Sequence, residues 1–239
     1  MTFKKQYIKK WIRTLRNYKI VILGVRSGTS LVHKCLLITG LLNWGTWSLE
    51  HFECEPPIKQ KIWATYPNIN KRLLKPKYFW EIAKSPVLGF VLKQLVDIYG
   101  DIRFIVMERP IKERVDSHIK TWGDGMLVNI FNKMPTFQKW IESEFGFIPE
   151  DIETFETVFH ALREAKREEF LKNYPQEKIL RVGFHNLMID FEGEMKRIAE
   201  FIDVDYNTYI KLWREMRKIK HMDTSSDINK WLENTDKKI

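Results

Sequence analysis

A glycine-rich turn that also carries an arginine and hydroxyl side chains follows the first apolar run of the chain. The run reads YKIVIL, and the turn GVRSGTS extends from Gly24 to Ser30. A buried strand, a tight turn and a helix start form an anion site, because the first N–H groups of a helix are unpaired and lie at its positive end. Gly28 lets the backbone approach an anion closely, while Thr29 and Arg26 add side-chain donors. This stretch predicts a phosphate-binding loop.

The loop differs from the loop that binds a magnesium nucleoside triphosphate, which reads G-x-x-x-x-G-K-[ST]. Here three residues separate Gly24 from Gly28, and Thr29 occupies the place of the lysine that holds the outer phosphates. The pattern therefore favours a single terminal phosphate. Taken alone, it is equally consistent with a turn that only caps a helix.

A second set of polar residues follows a later apolar run, in the stretch IRFIVMERPIKERVDSH. Arg109 comes just past the predicted strand, Pro110 is suited to the first turn of a helix, and Ser117 lies about two turns into that helix. Both polar side chains can face one phosphate at the carboxyl edge of a sheet, where α/β folds bind their ligands. The alternative is an arginine and a serine that are merely exposed to solvent.

The elements that position these residues alternate between strand and helix, which predicts an α/β fold with a central parallel sheet flanked by helices. The predicted strands are Lys19–Leu23, Tyr78–Ala83, Arg103–Met107 and Lys178–Val182. The best-marked predicted helices are Ser30–Leu42, Pro86–Tyr99, Asp151–Asn173 and Phe191–Ile202.

Composition places the chain among ordinary globular proteins with a basic character. Of its 239 residues, 44% are hydrophobic and 30% are charged, and the net charge is +9, which suits an anionic partner. Cys35 and Cys54 form no metal pattern or disulfide framework. With no apolar run as long as a membrane span and no signal-peptide core at the start, we expect a cytoplasmic protein.

Two segments stand apart from the predicted single domain, which covers residues 1–239. Residues 1–17 predict a basic amphipathic helix, which either docks on its own domain or lies on an anionic membrane. Residues 122–147 contain Gly-Asp-Gly, a proline and several aromatic residues, and predict an insertion or a lid over a site.

Four stretches together resemble the sulfotransferases that use 3′-phosphoadenosine 5′-phosphosulfate (PAPS). VILGVRSGTSLVHKCL resembles their 5′-phosphosulfate loop, in the Arg-Ser-Gly-Thr form of bacterial and Golgi-type members, and RFIVMERPIKERVDSH resembles their 3′-phosphate motif. KILRVGFHNLMIDFEGEMKRIAEFIDVD and WEIAKSP resemble two further segments, and the four occur in family order between Lys19 and Tyr206. The resemblance implies a single P-loop-type α/β domain related to nucleotide kinases.

The resemblance also implies a role for particular residues. PAPS would be the donor and 3′-phosphoadenosine 5′-phosphate (PAP) the product, with in-line transfer to a hydroxyl or amine and no metal. Binding of the donor would fall to Arg26, Ser27, Gly28, Thr29, Ser30, Arg109, Ser117 and Phe184. Arg26 or Lys84 would neutralise the charge that develops on the leaving phosphate, and Glu50 would be the base, with His51 and then Glu53 as alternatives.

The sequence departs from the family in three places. Phe184-His185-Asn186-Leu187 stands where the family has Tyr-Glu-Asp-Leu, so the aromatic residue is kept and the acidic ones are lost. The glycine-rich PAPS loop near the C-terminus of cytosolic members is missing, and Arg26 replaces their loop lysine.

Two other classes of function stay open from the residues alone. One is a nucleotide kinase with a degenerate loop, although no Walker lysine is present. The other is a non-enzymatic basic module that binds nucleic acid, although no RNA-binding aromatic motif or zinc finger is evident. The acceptor is not identified: a glycan, a lipid, a small alcohol, an amine and a protein tyrosine all stay open. The basic surface and the aromatic insertion suggest an anionic or sugar-like acceptor. The sequence leaves the oligomeric state open.

Overall fold

The strands of the computed structural model form one parallel sheet. The structure describes residues 18–41, 43–44, 81–84, 86–122, 135–219 and 234. Within these ranges the strands are β1 Lys19–Leu23, β2 Asn43–Trp44, β3 Ile82–Lys84, β4 Ile102–Glu108 and β5 Ile179–Gly183. They lie in the order β2-β3-β1-β4-β5, and every neighbouring pair is parallel. The predicted fold class is confirmed.

Helices connect the strands and cover the sheet. They are α1 Thr29–Leu37, α2 Leu92–Tyr99, α3 Ile111–Trp122, α4 Pro135–Phe145, α5 Ile152–Leu171, α6 Phe184–Ile189, α7 Phe191–Phe201 and α8 Tyr206–Lys218, with 3₁₀ turns at Pro86–Phe90 and Gln176–Lys178. An aspartate side chain caps the first turn of α5, α7 and α8, where Asp151, Asp190 and Asp205 accept hydrogen bonds from backbone N–H groups.

The apolar core lies on both faces of the sheet, because successive side chains of a buried strand point in opposite directions. Val21 and Leu23 of β1 pack in one cluster with residues of α2 and α5. Ile20 and Ile22 pack in the other, with residues of α1, α7 and α8. Both clusters hold the middle of the sheet rigid, so its carboxyl edge presents loops in fixed positions.

Several predicted boundaries are confirmed and others are corrected. Strand β1 has the predicted limits, and β4 and β5 differ from theirs by one residue. The predicted single helix over residues 86–99 is wrong, because a 3₁₀ turn comes first and α2 begins at Leu92. Gly89 in that turn packs so tightly that a Cβ there would lie 2.8 Å from Cγ of Arg163. The helix after the loop ends at Leu37 rather than residue 42, followed by Gly40 at φ +86°.

Some predicted segments lie outside the described residues. These are the helix over residues 1–17, the first part of the strand predicted from Tyr78, and residues 123–134 of the predicted insertion. The rest of the insertion includes helix α4. Across the described ranges, no helix combines the length and apolar character needed to cross a membrane.

Candidate functional site

The turn between β1 and α1 has the backbone of an anion-binding loop. Gly24, Arg26 and Gly28 have φ angles of +128°, +54° and +86°. Turns that pass through the left-handed region turn successive N–H groups toward one concavity. A Cβ at Gly24 would lie 2.4 Å from Oγ of Ser27, and one at Gly28 would lie 3.2 Å from the Phe184 ring, so both positions favour glycine. Helix α1 starts next, with no side-chain cap and no acidic residue in its first turn.

Hydroxyl groups and a lysine surround the start of α1. Ser27 is fully buried, and its hydroxyl has no hydrogen-bond partner in the part of the chain that the structure describes. Lys84, at the end of β3, is buried and donates a hydrogen bond of 2.6 Å from Nζ to Oγ of Ser30. Because β3 is the neighbour of β1, the sheet itself brings this ammonium group to the loop. Thr29 is also buried here.

Arg26 connects the loop to helix α3. Its Nη2 donates to Oγ of Ser117 at 3.0 Å, its Nε donates to the same oxygen at 3.2 Å, and it also bonds Thr121. Burial lowers the pKa of Arg26, and the nearby Arg109 lowers it further. The guanidinium of Arg26 thus faces the predicted 3′-phosphate serine and joins the two predicted phosphate-binding motifs.

Arg109 is held from three sides at the end of β4. Its Nη1 donates to the backbone carbonyl of Arg26 at 2.9 Å, and its Nε donates to Oε2 of Glu113 at 3.0 Å. Its guanidinium carbon lies 4.3 Å from the centroid of the Phe184 ring, a cation–π contact. Oε1 of Glu113 lies 3.0 Å from Nε2 of His185. Hydrogen bonds from Arg109 and then His185 hold the pKa of Glu113 below its usual value.

A cavity of about 500 Å³ opens beside Arg109, at the carboxyl ends of β4 and β5. Its volume is in the range of pockets that hold small ligands. Its lining consists of Glu108, Arg109, Pro110, Glu164, Arg167, Glu168, Arg181, Gly183, Phe184, His185 and Asn186.

The structure brings most of the predicted site residues to one edge of the sheet. The loop residues, Lys84, Arg109, Ser117 and Phe184 meet there through the contacts described above. The predicted bases Glu50, His51 and Glu53 lie outside the described residues, so their roles stay predictions.

Sequence reasoning missed three residues of this edge, which are Glu113, Thr121 and His185. The four-residue spacing from Arg109 to Glu113 could have indicated that pair, because such residues adjoin on a helix. Nothing in the sequence links His185 to a residue so distant along the chain.

A buried polar cluster joins α3 to α5 next to this site. Nδ1 of His118 lies 2.6 Å from Oε2 of Glu156, and Nε2 of His160 lies 3.4 Å from the same oxygen. Arg163 donates to Nδ1 of His160, so the proton of that imidazole is on Nε2, toward Glu156. Burial lowers the pKa of His160 far below its usual value and that of Arg163 to about 9.

These three side chains have the composition of a metal site, with one ligand atom of each within 4.8 Å of the others. In the observed hydrogen bonding, however, His160 has no lone pair free on the nitrogen that faces Glu156. The arrangement is therefore that of a hydrogen-bonded cluster.

The fold and the site together define an α/β protein with a parallel sheet, whose carboxyl edge carries the β1–α1 loop together with Lys84 and Arg109. Residues 64–208 match the family model described as "Sulfotransferase family". This match covers more than half of the chain, and the chain belongs to the sulfotransferase family. The predicted family and the predicted class of enzyme are confirmed.

Solved structures of sulfotransferases are similar to the chain at low identity. A sulfotransferase domain from the curacin biosynthetic pathway is 11% identical, with a TM-score of 0.49 over 78% of this chain and 73% of that one. A sulfotransferase from Mycobacterium tuberculosis is 14% identical, with a TM-score of 0.49 over 94% and 76%. Retinol dehydratase in complex with androsterone and PAP is 14% identical, with a TM-score of 0.41 over 89% and 69%. No curated protein sequence matches the chain.

Proposed function

We propose that this sulfotransferase uses PAPS as its donor and transfers the sulfuryl group in line to a hydroxyl or amine acceptor. The observation that carries the proposal is the hydrogen-bonded frame in which Arg26 of the loop contacts Ser117 and Arg109 contacts the loop carbonyl of Arg26. These hydrogen bonds join the loop to Arg109 and Ser117, and such a pair of connected anion sites suits a donor with phosphate groups at both its 5′ and 3′ positions.

The residues present fit such a donor. The loop from Gly24 to Gly28 and the uncapped start of α1 would hold the 5′-phosphate, because their N–H groups lack acidic competitors. Arg109 would hold the 3′-phosphate together with Ser117. The buried Ser27 hydroxyl, unpartnered among the described residues, is consistent with a loop shaped for a polar ligand.

PAPS, when bound, supplies an activated sulfuryl group and a phosphate leaving group. The loop N–H groups would stabilise the negative charge that grows on the leaving oxygen, as preorganised donors do. Lys84 lies against Ser30 at the helix start and would add a full positive charge there. Glu50, His51 or Glu53 would accept the acceptor's proton. The transferred group carries less charge than a phosphoryl group, so we propose that these donors suffice without a metal.

Thermal unfolding with competing nucleotides tests the proposed donor. We expect PAP to raise the melting temperature more than ATP with magnesium, because the loop lacks the lysine of a triphosphate site. A ligand that binds only the folded state adds about 2.7 kcal/mol at a hundred times its dissociation constant. A larger shift with magnesium ATP would contradict the proposal and favour a nucleotide kinase.

Labelled PAPS and a panel of acceptors would then test the transfer itself. A phenol, an aliphatic alcohol, a sugar and a primary amine cover the acceptor classes that the sequence leaves open. Incorporation of label into any of them, dependent on the protein, is the expected outcome.

A further inference from the structure

The position where this chain departs from the family motif contacts the arginine of the second phosphate element. His185 and Asn186 stand where the family has two acidic residues, and Nε2 of His185 lies 3.0 Å from Oε1 of Glu113. The other oxygen of Glu113 accepts from Nε of Arg109 at 3.0 Å. His185, Glu113 and Arg109 therefore form a continuous chain of hydrogen bonds.

The wall of the cavity beside Arg109 carries no surplus of positive charge when His185 is neutral. Among the described residues, the cavity beside Arg109 is lined by three arginines and three glutamates. Arg181 pairs with Glu108 and Glu168, and Arg167 pairs with Glu164 and Glu168.

Arg109 itself pairs with Glu113, which adds a further negative charge just behind the cavity wall. The three arginines and three glutamates of the cavity wall sum to zero, so the wall carries no net charge when His185 is neutral and one positive charge when it is protonated. Protonation of His185 therefore makes the cavity more favourable for an anion.

We propose that His185 is a positioning residue, which acts through Glu113 so that its protonation strengthens the binding of a 3′-phosphorylated nucleotide at Arg109. The proposal rests on the proposed function, in which Arg109 holds the 3′-phosphate. A protonated imidazole shares the negative charge of Glu113, so less of that charge opposes the phosphate. Glu113 also fixes the plane of the Arg109 guanidinium against Phe184.

The sign of the pH dependence follows from this arrangement. The gain in affinity is present where the imidazole is charged, toward acidic pH, and is absent where the imidazole is neutral. His185 shares the cavity with charged groups from three other elements, which are Glu108 of β4, Arg181 of β5, and Glu164, Arg167 and Glu168 of α5. It also faces Glu113 of α3 and, through it, Arg109.

Isothermal titration of the full chain with PAP between pH 5.5 and 8.5 tests the proposal. The two proteins are the wild type and His185→Gln, since glutamine keeps a donor for Glu113 but does not titrate. The ratio of their dissociation constants at each pH cancels the titration of the ligand's own phosphates. We expect the variant to bind PAP about threefold more weakly at pH 5.5 and equally well at pH 8.5, a modest effect because the His185 side chain is 59% exposed.

Three controls make the outcome specific. With adenosine 5′-phosphate, which lacks the 3′-phosphate, the ratio should stay near one at every pH. Lys112→Gln removes an exposed charge from α3, the helix that carries Glu113. The ratio of its dissociation constant for PAP to that of the wild type should not vary with pH. In a Glu113→Gln background, His185→Gln should have no further effect, as a double-mutant cycle would show.

Each result bears on a different claim. Wild-type protein that does not bind PAP at any pH contradicts the proposed function itself. PAP binding with a ratio that is constant across pH leaves the proposed function intact and overturns the role of His185. A pH-dependent ratio that persists without Glu113 overturns the path through that carboxylate.

Discussion

The fixed orientation of Arg109 decides what this side chain can do. One N–H group is bound to the carbonyl of Arg26, another to Glu113, and one face lies on Phe184. A guanidinium held in one plane still has donors to offer a phosphate, and it loses little conformational freedom when it binds. This fixed orientation would suit the proposed role of Arg109 in holding the 3′-phosphate, because little conformational freedom remains to be lost.

Replacing Arg109 by glutamine should weaken PAP binding selectively. Loss of a charge-assisted contact to phosphate costs about 1.5–3 kcal/mol, or roughly ten- to a hundredfold in affinity. Adenosine 5′-phosphosulfate, which has no 3′-phosphate, should lose much less. Calorimetric titration of both ligands gives the comparison, and Arg214→Gln, at an exposed arginine paired with Glu192, serves as the matched control. Equal losses for both ligands would show that Arg109 does not read the 3′-phosphate.

Helix α3 carries Ser117 on the side that faces the loop and is joined to α5 by buried polar groups. His118 and Arg114 of α3 bond Glu156 and Glu164 of α5, and His160 lies fully buried beside them. Buried charges hold a single arrangement when each finds a partner, and they are costly when one partner is lost. These contacts hold α3, and with it Ser117, in place against α5.

Acidification should destabilise the protein through His160. Burial, together with Arg163 and Arg114, lowers the pKa of His160, so the folded state binds fewer protons than the unfolded state. Stability is therefore retained above the ordinary histidine pKa of about 6.5 and lost as the pH falls below it, by up to about 1.4 kcal/mol per pH unit. The free energy of unfolding, measured with urea at several pH values from 8 to 5, should fall less steeply with pH for His160→Gln than for wild type. The exposed control Lys112→Gln, which removes no histidine, should retain the wild-type slope, and equal slopes for all three proteins would contradict the role of His160.

Sequence patterns predict a helix or strand boundary where the residues next to that boundary determine it. The apolar run before Gly24 predicts β1 with its limits, and Pro110 predicts the start of α3 within a residue, because both signals lie within the element. The turn at Gly89 escapes prediction, since Gly89 packs against Arg163 of α5, a residue far along the chain.

The site follows the same rule. Spacing predicts the phosphate loop and the pair formed by Arg109 and Ser117. The contacts of Arg26 with Thr121 and of His185 with Glu113 depend on the packing of α3 against the loop and α6. Packing of this kind is decided by the whole fold, so a single sequence does not reveal which partners meet.

The net charge of the molecule is distributed unevenly along the chain. Six lysines and arginines, and no acidic residue, lie within the first sixteen residues, against a total net charge of +9. The cavity beside Arg109, by contrast, has equal numbers of arginines and glutamates in its wall within the described part of the chain. The wall of this cavity therefore does not account for the basic character of the whole protein, and the contribution of the N-terminal charges can be measured separately.

Replacing Lys4, Lys5, Lys9, Lys10, Arg13 and Arg16 together by glutamine should separate general anion binding from donor binding. We expect association with random-sequence duplex DNA to fall about tenfold or more at 50 mM salt and its salt dependence to become shallower, because each lost phosphate contact removes about 0.9 from the slope of log K against log salt. The affinity for PAP should change by less than about twofold, since the proposed PAP site depends on the hydrogen-bond donors of the loop and Arg109, which the six replacements leave in place. Fluorescence anisotropy with labelled DNA and calorimetry with PAP give the two numbers on the same preparations. If DNA binding survives the six replacements and PAP displaces it, the nucleotide site itself is the basic surface, and the charged N-terminal segment has no separate role.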